Sequence, residues 1–318
     1  MSERKPLEIG KRVVKCEQFP NAWQILSLED IELDKPCVLC FGGNATVTER
    51  SANGMAKIAE GLFDPSHKQT LANVYAISYG GNPESRAGNM TCDEVERLAR
   101  GIFLPRLLDS QGNRYDYEKC AKNFRNISVF SYSFGAKVLK YVIYNVAQIM
   151  EYEFQFSERE IVGILKQIYH VSYAPSTKQN GLTSNFELKS LGDEMVDYMS
   201  EYYEKFDEDI DEFAIDVEKN TVTVYVDFLC PEPDFRQHNI GIFRRDENGK
   251  SEDEKTDKYV GLASKLFRMS VENSIENLQS DEFTPMPPAR KILAIVQKEL
   301  ECEKKHEKNL EKTQEITL

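Results

Sequence analysis

Residues 129–139 read VFSYSFGAKVL, an apolar, β-rich run that stops at a serine and continues at once in a helical pattern. A strand running straight into a helix is the building unit of a parallel sheet, because a parallel neighbour is reached only by a crossover. Ser133 stands at the junction, with Ser131 and Gly135 at positions −2 and +2. Small residues at those two positions are what a cramped strand-to-helix bend requires.

The same pattern extends to both sides. VLCFGG (38–43) and NVYAISYGG (73–81) read as buried strands ending in glycines, and SANGMAKIAEGLF (51–63) between them has helical spacing. TCDEVERLARGIFLPRLL (91–108) opens with a capping box, Thr91 and Glu94, and predicts a helix. NISVFSYS (126–133) is a strand and FGAKVLKYVIYNVAQIM (134–150) a helix. SEREIVGILKQI (157–168) carries a second capping box, Ser157 and Glu160, and YHVSYAP (169–175) is a strand stopped by Pro175. Upstream, KRVVKCEQ (11–18) and WQILSLED (23–30) predict an antiparallel hairpin.

Downstream, 185–212 is acidic and reads as mostly helical, and EFAIDVEKNTVTVYVDF (212–228) as a hairpin turning at Lys219-Asn220. DENGKSEDEKTDK (246–258) reads as a surface loop. Helices are expected over 257–275 and 289–314. The fold class is therefore α/β: a mainly parallel central sheet, helices on both faces and an opening antiparallel hairpin. Residues 1–287 are expected to form one domain with a small cap at 176–212, followed by a C-terminal helix and polar tail over 288–318.

Composition narrows the function classes. The formal net charge of −13 argues against nucleic acid or an anionic membrane surface as the main partner. No stretch approaches 18 apolar residues, so no transmembrane segment is expected. MSERKPLEIGKRVV carries charge without an apolar h-region, which argues against a Sec signal peptide. Seven scattered cysteines suit reduced thiols and a cytoplasmic location. Cys37 and Cys40 lie inside a strand pattern, where period 2 sends them to opposite faces; they are read as buried residues and not as a ligand pair. No metal site, Walker loop or GxGxxG is present, and no cofactor is expected.

Ligands of such sheets bind at the carboxyl ends of the strands. Three of those ends are Gly42-Gly43-Asn44, Gly80-Gly81-Asn82 and Ser131–Gly135. A second small-x-Ser-x-small match, Ala76–Gly80, is followed by GNPESRAGN, which cannot open a helix. Ser133 alone has strand before it and helix after it, so it is the candidate nucleophile. The backbone N–H of Phe134 then points at developing oxyanion charge, and FGGN (41–44) offers a second donor from Gly42, Gly43 or Asn44.

Of the four histidines, His67 and His170 fall at amino edges of strands and His306 lies in a Lys/Glu helix. His238, in the loop after the last strand, is the candidate general base. Asp227, Glu232 and Asp234 are the carboxylates available to orient it, Asp227 being preferred. Phe41, Tyr79, Tyr132, Phe134, Tyr173 and Phe228 fall near strand ends and suggest an apolar acyl pocket.

This arrangement over residues 11–240 resembles the α/β-hydrolase superfamily: an opening hairpin, a glycine loop after the third strand, an elbow after the fifth and a histidine after the last. The resemblance implies a lipase- or esterase-like serine hydrolase acting on a small-molecule or lipid acyl substrate. It implies Ser133 as nucleophile, His238 as base, Asp227 or Asp234 as orienter, and Phe134 with Gly43 or Asn44 as oxyanion donors. Ser131 departs from the family, which commonly has glycine there. The alternative is an inactive hydrolase-like scaffold or an effector exported by a non-Sec bacterial secretion system. Such a protein would act by protein binding through its polar C-terminal helix.

Overall fold

The computed structural model describes residues 13–15, 22–25, 35–43, 54–56, 58–59, 72–77, 92–177, 179, 181–190, 213–218, 220–226, 254–280 and 290–302. Nine strands among them form one sheet: β1 (Val13–Lys15), β2 (Ala22–Ile25), β3 (Cys37–Phe41), β4 (Asn73–Ile77), β5 (Ile127–Tyr132), β6 (Tyr169–Tyr173), β7 (Ser184–Ser190), β8 (Phe213–Glu218) and β9 (Thr221–Val226). Their spatial order is β1-β2-β4-β3-β5-β6-β7-β9-β8. From β2 through β9 in that order every pairing is parallel. β1 and β8 flank this stack antiparallel to β2 and β9. The β8–β9 register pairs Glu218 with Thr221, and Asn220 stands in the turn between the two strands, where the sequence indicates that the hairpin reverses.

Residues 54–56 and 58–59 are helical, and the longer helices among the described residues are α1 (Cys92–Leu98), α2 (Tyr117–Arg125), α3 (Phe134–Tyr152), α4 (Glu158–Leu165) and α5 (Glu254–Gln279), with α6 over 290–302. In α3 the buried positions Val138, Leu139, Val142, Ile143, Val146, Ile149 and Met150 repeat every three to four residues and make one apolar stripe. α4 carries its capping box, Ser157 with Glu160. At α2 the Asp116 side chain caps the helix by accepting from Lys119 N at 2.8 Å.

Strand alternation divides the interior into two layers. Cys37, Leu39 and Phe41 join the layer under α1–α4, while Val38 and Cys40 join the layer under α5 and α6. Both faces of the sheet are thus covered, as runs buried on both sides require. The two cysteines are buried on opposite faces, as their spacing indicates. Beside Cys37, the buried Arg106 donates from Nη1 to Ile102 O at 2.6 Å and from Nη2 to Cys37 Sγ at 3.4 Å.

Three expectations change. Residues 185–190, read as helical and as part of a cap over 176–212, belong to β7, a strand inside the sheet between β6 and β9. Phe186 and Leu188 enter one layer, and Asn185, Glu187 and Lys189 point to the other side; that period-2 alternation outweighs the acidic, helix-like composition around it. The rest of the proposed cap, 191–212, lies outside the described residues. The single helix expected over 91–108 becomes α1, a π-helical stretch Ala99–Phe103 and a 3₁₀ turn Leu104–Arg106. Pro105, without an N–H, stops the regular bonding pattern. Of the loop expected over 246–258, residues 254–258 belong to α5, which begins at Glu254, and 246–253 lie outside the described residues.

Among the described residues no helix is long and apolar enough to cross a membrane. The chain leaves β3 to one side for β4, then crosses back to β5 on the other side. The carboxyl ends of β3 and β5 therefore flank a switch point, where open α/β sheets place their ligands.

Candidate functional site

β5 is buried along most of its length and delivers the chain to the carboxyl edge at Ser133. There φ is 51° and ψ is −122°, a conformation that costs a non-glycine residue on the order of 1–3 kcal/mol. Strain of this kind persists only where the surroundings over-determine the backbone. Ser133 N–H donates to Tyr173 O at 3.1 Å, and its carbonyl accepts from Ala136 N at 3.1 Å and from Ser176 N at 3.2 Å. Ser176 Oγ donates to the same carbonyl at 3.2 Å. The Ser133 side chain does not cap α3, although it stands at the capping position. The residue is only 4% exposed.

The first turn of α3 lies directly against the end of β3. A Cβ on Gly135 would overlap the carbonyl oxygens of Phe41 and Gly42. A Cβ on Gly43 would sit 2.9 Å from the Tyr132 ring and 3.6 Å from Ser133 Cβ. Glycines at these two positions let two backbones meet at one serine. The structure thus brings together Ser133, Phe134 at the start of α3, Gly42 and Gly43. Asn44, Asp227, Glu232, Asp234 and His238 lie outside the described residues, as do His67, Ser78 and His306.

Of the aromatic residues near strand ends, Phe41 and Tyr173 are fully buried core. Tyr132 and Phe134 are half-buried at the edge, with Tyr132 stacked on Tyr173 at a centroid distance of 6.1 Å. Tyr79 and Phe228 lie outside the described residues.

A polar row unrecognised in the sequence runs beneath the bend. Ser131 Oγ is 2.6 Å from His170 Nε2, and His170 Nδ1 is 3.1 Å from Asn185 Oδ1. Thr183 Oγ1 also donates to Asn185 Oδ1, at 2.6 Å, and Asn185 Nδ2 donates to Thr221 Oγ1 at 3.0 Å. Since Asn185 Oδ1 accepts, Nδ1 of His170 carries the proton, and Nε2 receives the Ser131 hydroxyl. Burial pushes the His170 pKa down to about 4, against a weaker upward pull from Asn185. His170 is therefore neutral, and its partner is Ser131, not Ser133.

The next row is Ser172, Glu187 and Thr223. Glu187 Oε2 accepts from Thr223 Oγ1 at 3.2 Å and pairs with Lys189 Nζ at 3.4 Å. Ser172 Oγ and Glu187 Oε1 have no hydrogen-bond partner among the described residues. The available sequence signal for both rows was alternation: buried strands in which every second residue is polar, His170 and Ser172 in one and Asn185, Glu187 and Lys189 in the next.

No protein-family model matches the chain, and no curated protein matches its sequence.

Proposed function

We propose that this chain is a serine hydrolase of α/β-hydrolase type, cleaving a carboxylic ester, thioester or amide through an acyl-enzyme on Ser133. The observation that carries this reading is the positive-φ backbone of Ser133 between β5 and α3, at the switch point and beside Gly42-Gly43. A purely structural turn serine has no need of a strained conformation fastened from several directions.

In the proposed reaction a general base takes the Ser133 hydroxyl proton while Oγ bonds to the substrate carbonyl carbon. The carbonyl π electrons move onto oxygen, where the N–H groups of Phe134 and of Gly43 or Asn44 stabilise the charge. As the tetrahedral carbon collapses, the leaving group departs with the proton from the base. Water, deprotonated by the same base, then releases the acyl group as a carboxylic acid and restores Ser133. His238 is the proposed base, oriented by Asp227 or Asp234.

The test is a fluorophosphonate probe on the full-length chain, with the modified residue mapped by mass spectrometry. Labelling at Ser133, abolished in Ser133→Ala, is the expected result. A folded protein that takes no label would overturn the reading and leave a binding role for a hydrolase-like scaffold.

A further inference from the structure

We propose that His170 is a positioning residue for Ser133, fixing the end of β5 to β6 through the Ser131 hydroxyl so that the strained bend presents its serine in one place. The inference deepens the reading of Ser133 as nucleophile and rests on it.

Four hydrogen bonds near the bend run to β6 or to the loop that follows it. They are Ser131 Oγ to His170, Ser133 N to Tyr173 O, and the two donations from Ser176 to the Ser133 carbonyl. The bend is thus referenced to β6. Three of these bonds involve backbone groups of Ser133 itself. The fourth is a side-chain bond two residues earlier, at the position where glycine would offer no side chain at all. Ser131 and His170 are both fully buried, so water does not compete for the bond and its loss leaves two polar groups stranded.

The imidazole is itself held from the far side. Asn185 on β7 accepts its Nδ1 proton and is gripped by Thr183 and by Thr221 on β9. The chain of bonds therefore spans four adjacent strands and ends two residues before the strained serine. A ring fixed at both nitrogens has one tautomer and one orientation, and it can hold the Ser131 hydroxyl only in one direction.

A buried histidine that merely fills the core would matter for stability alone. The two roles separate in the rate constant for fluorophosphonate labelling of the folded full-length protein. His170→Leu, which removes the acceptor, is expected to slow Ser133 labelling roughly tenfold, in line with the sensitivity of reaction rates to small misplacements. His170→Gln, which can accept from Ser131 and donate to Asn185, is expected to restore the rate to within about twofold. In a Ser131→Gly background, His170→Leu is expected to change labelling no further. Where His170→Leu does not fold, Ser131→Ala breaks the same bond and is read in the same way.

A lowered melting temperature with an unchanged labelling rate overturns the positioning role and leaves the nucleophile reading intact. Equal slowing by His170→Leu with and without the Ser131 hydroxyl also overturns it. A wild-type protein that takes no label at Ser133 overturns both.

Discussion

Gly135 lies so close to Phe41 that a Cβ added to it would occupy the space of the Phe41 carbonyl oxygen. The contact is backbone on backbone, with no flexible side chain to give way. Gly135→Ala is therefore expected to destabilise the fold by about 1–3 kcal/mol, read as a lower urea midpoint. Gly261 is the contrasting case: it is exposed within α5, and nothing lies within 4 Å of its built Cβ. Gly261→Ala is expected to raise stability by about 0.5–1 kcal/mol, the ordinary gain of a helix interior.

The bend at Ser133 makes a paired prediction. Both Ser133→Gly and Ser133→Ala remove the hydroxyl and should abolish labelling. Alanine keeps the steric cost of a positive φ and glycine does not. The glycine variant should be the more stable of the two by about 1 kcal/mol, measured by thermal denaturation. Equal stabilities would mean that the bend stores no strain.

His170 gives the protein a defined acid sensitivity. Its folded pKa, about 4, lies below the ordinary 6.5 because burial disfavours the imidazolium. The unfolded chain therefore binds the proton first as pH falls. Stability from this residue is fully present above the ordinary pKa, declines as pH falls toward about 4, and totals about 3 kcal/mol. Urea midpoints between about pH 7.5 and pH 5 should fall for the wild type and fall less for His170→Gln, with about 2 kcal/mol separating the two slopes over that range.

Glu187 and Lys189 are both buried, on alternate positions of one strand. Removing the carboxylate takes the Glu187 partner from a buried ammonium that also lies 5.4 Å from the Tyr225 ring centroid, so Glu187→Ala should cost about 3–5 kcal/mol. Replacing both together by Glu187→Leu and Lys189→Met should recover most of that loss. A double-mutant cycle on unfolding free energies checks the coupling.

Much of this architecture is visible locally. The period of the apolar residues changes from two to about three and a half at Ser133, which marks β5, the bend and α3 without reference to anything distant. The small residues Gly43 and Gly135 likewise announce a close approach, and the structure places them against Tyr132 and Phe41. β7 is different. Asn185, Glu187 and Lys189 look solvated in a linear reading, because what makes them buriable is supplied elsewhere, by His170, Thr221 and Thr223. The same holds for His170, whose partner Ser131 is 39 residues away. A buried polar residue is legible only when its cross-strand partner is known. Of the candidate site, Ser133, Phe134, Gly42 and Gly43 converge, whereas Asn44, Asp227, Asp234 and His238 lie outside the described residues.

The two thiols of β3 supply the molecule with a pair of clocks. Cys37 is shut beneath α1–α4 and Cys40 beneath α5 and α6, with the sheet itself as the partition. A reagent that waits for each sulfur to surface dates the departure of its own layer, so the order in which the two halves of the interior come apart is written in two alkylation rates.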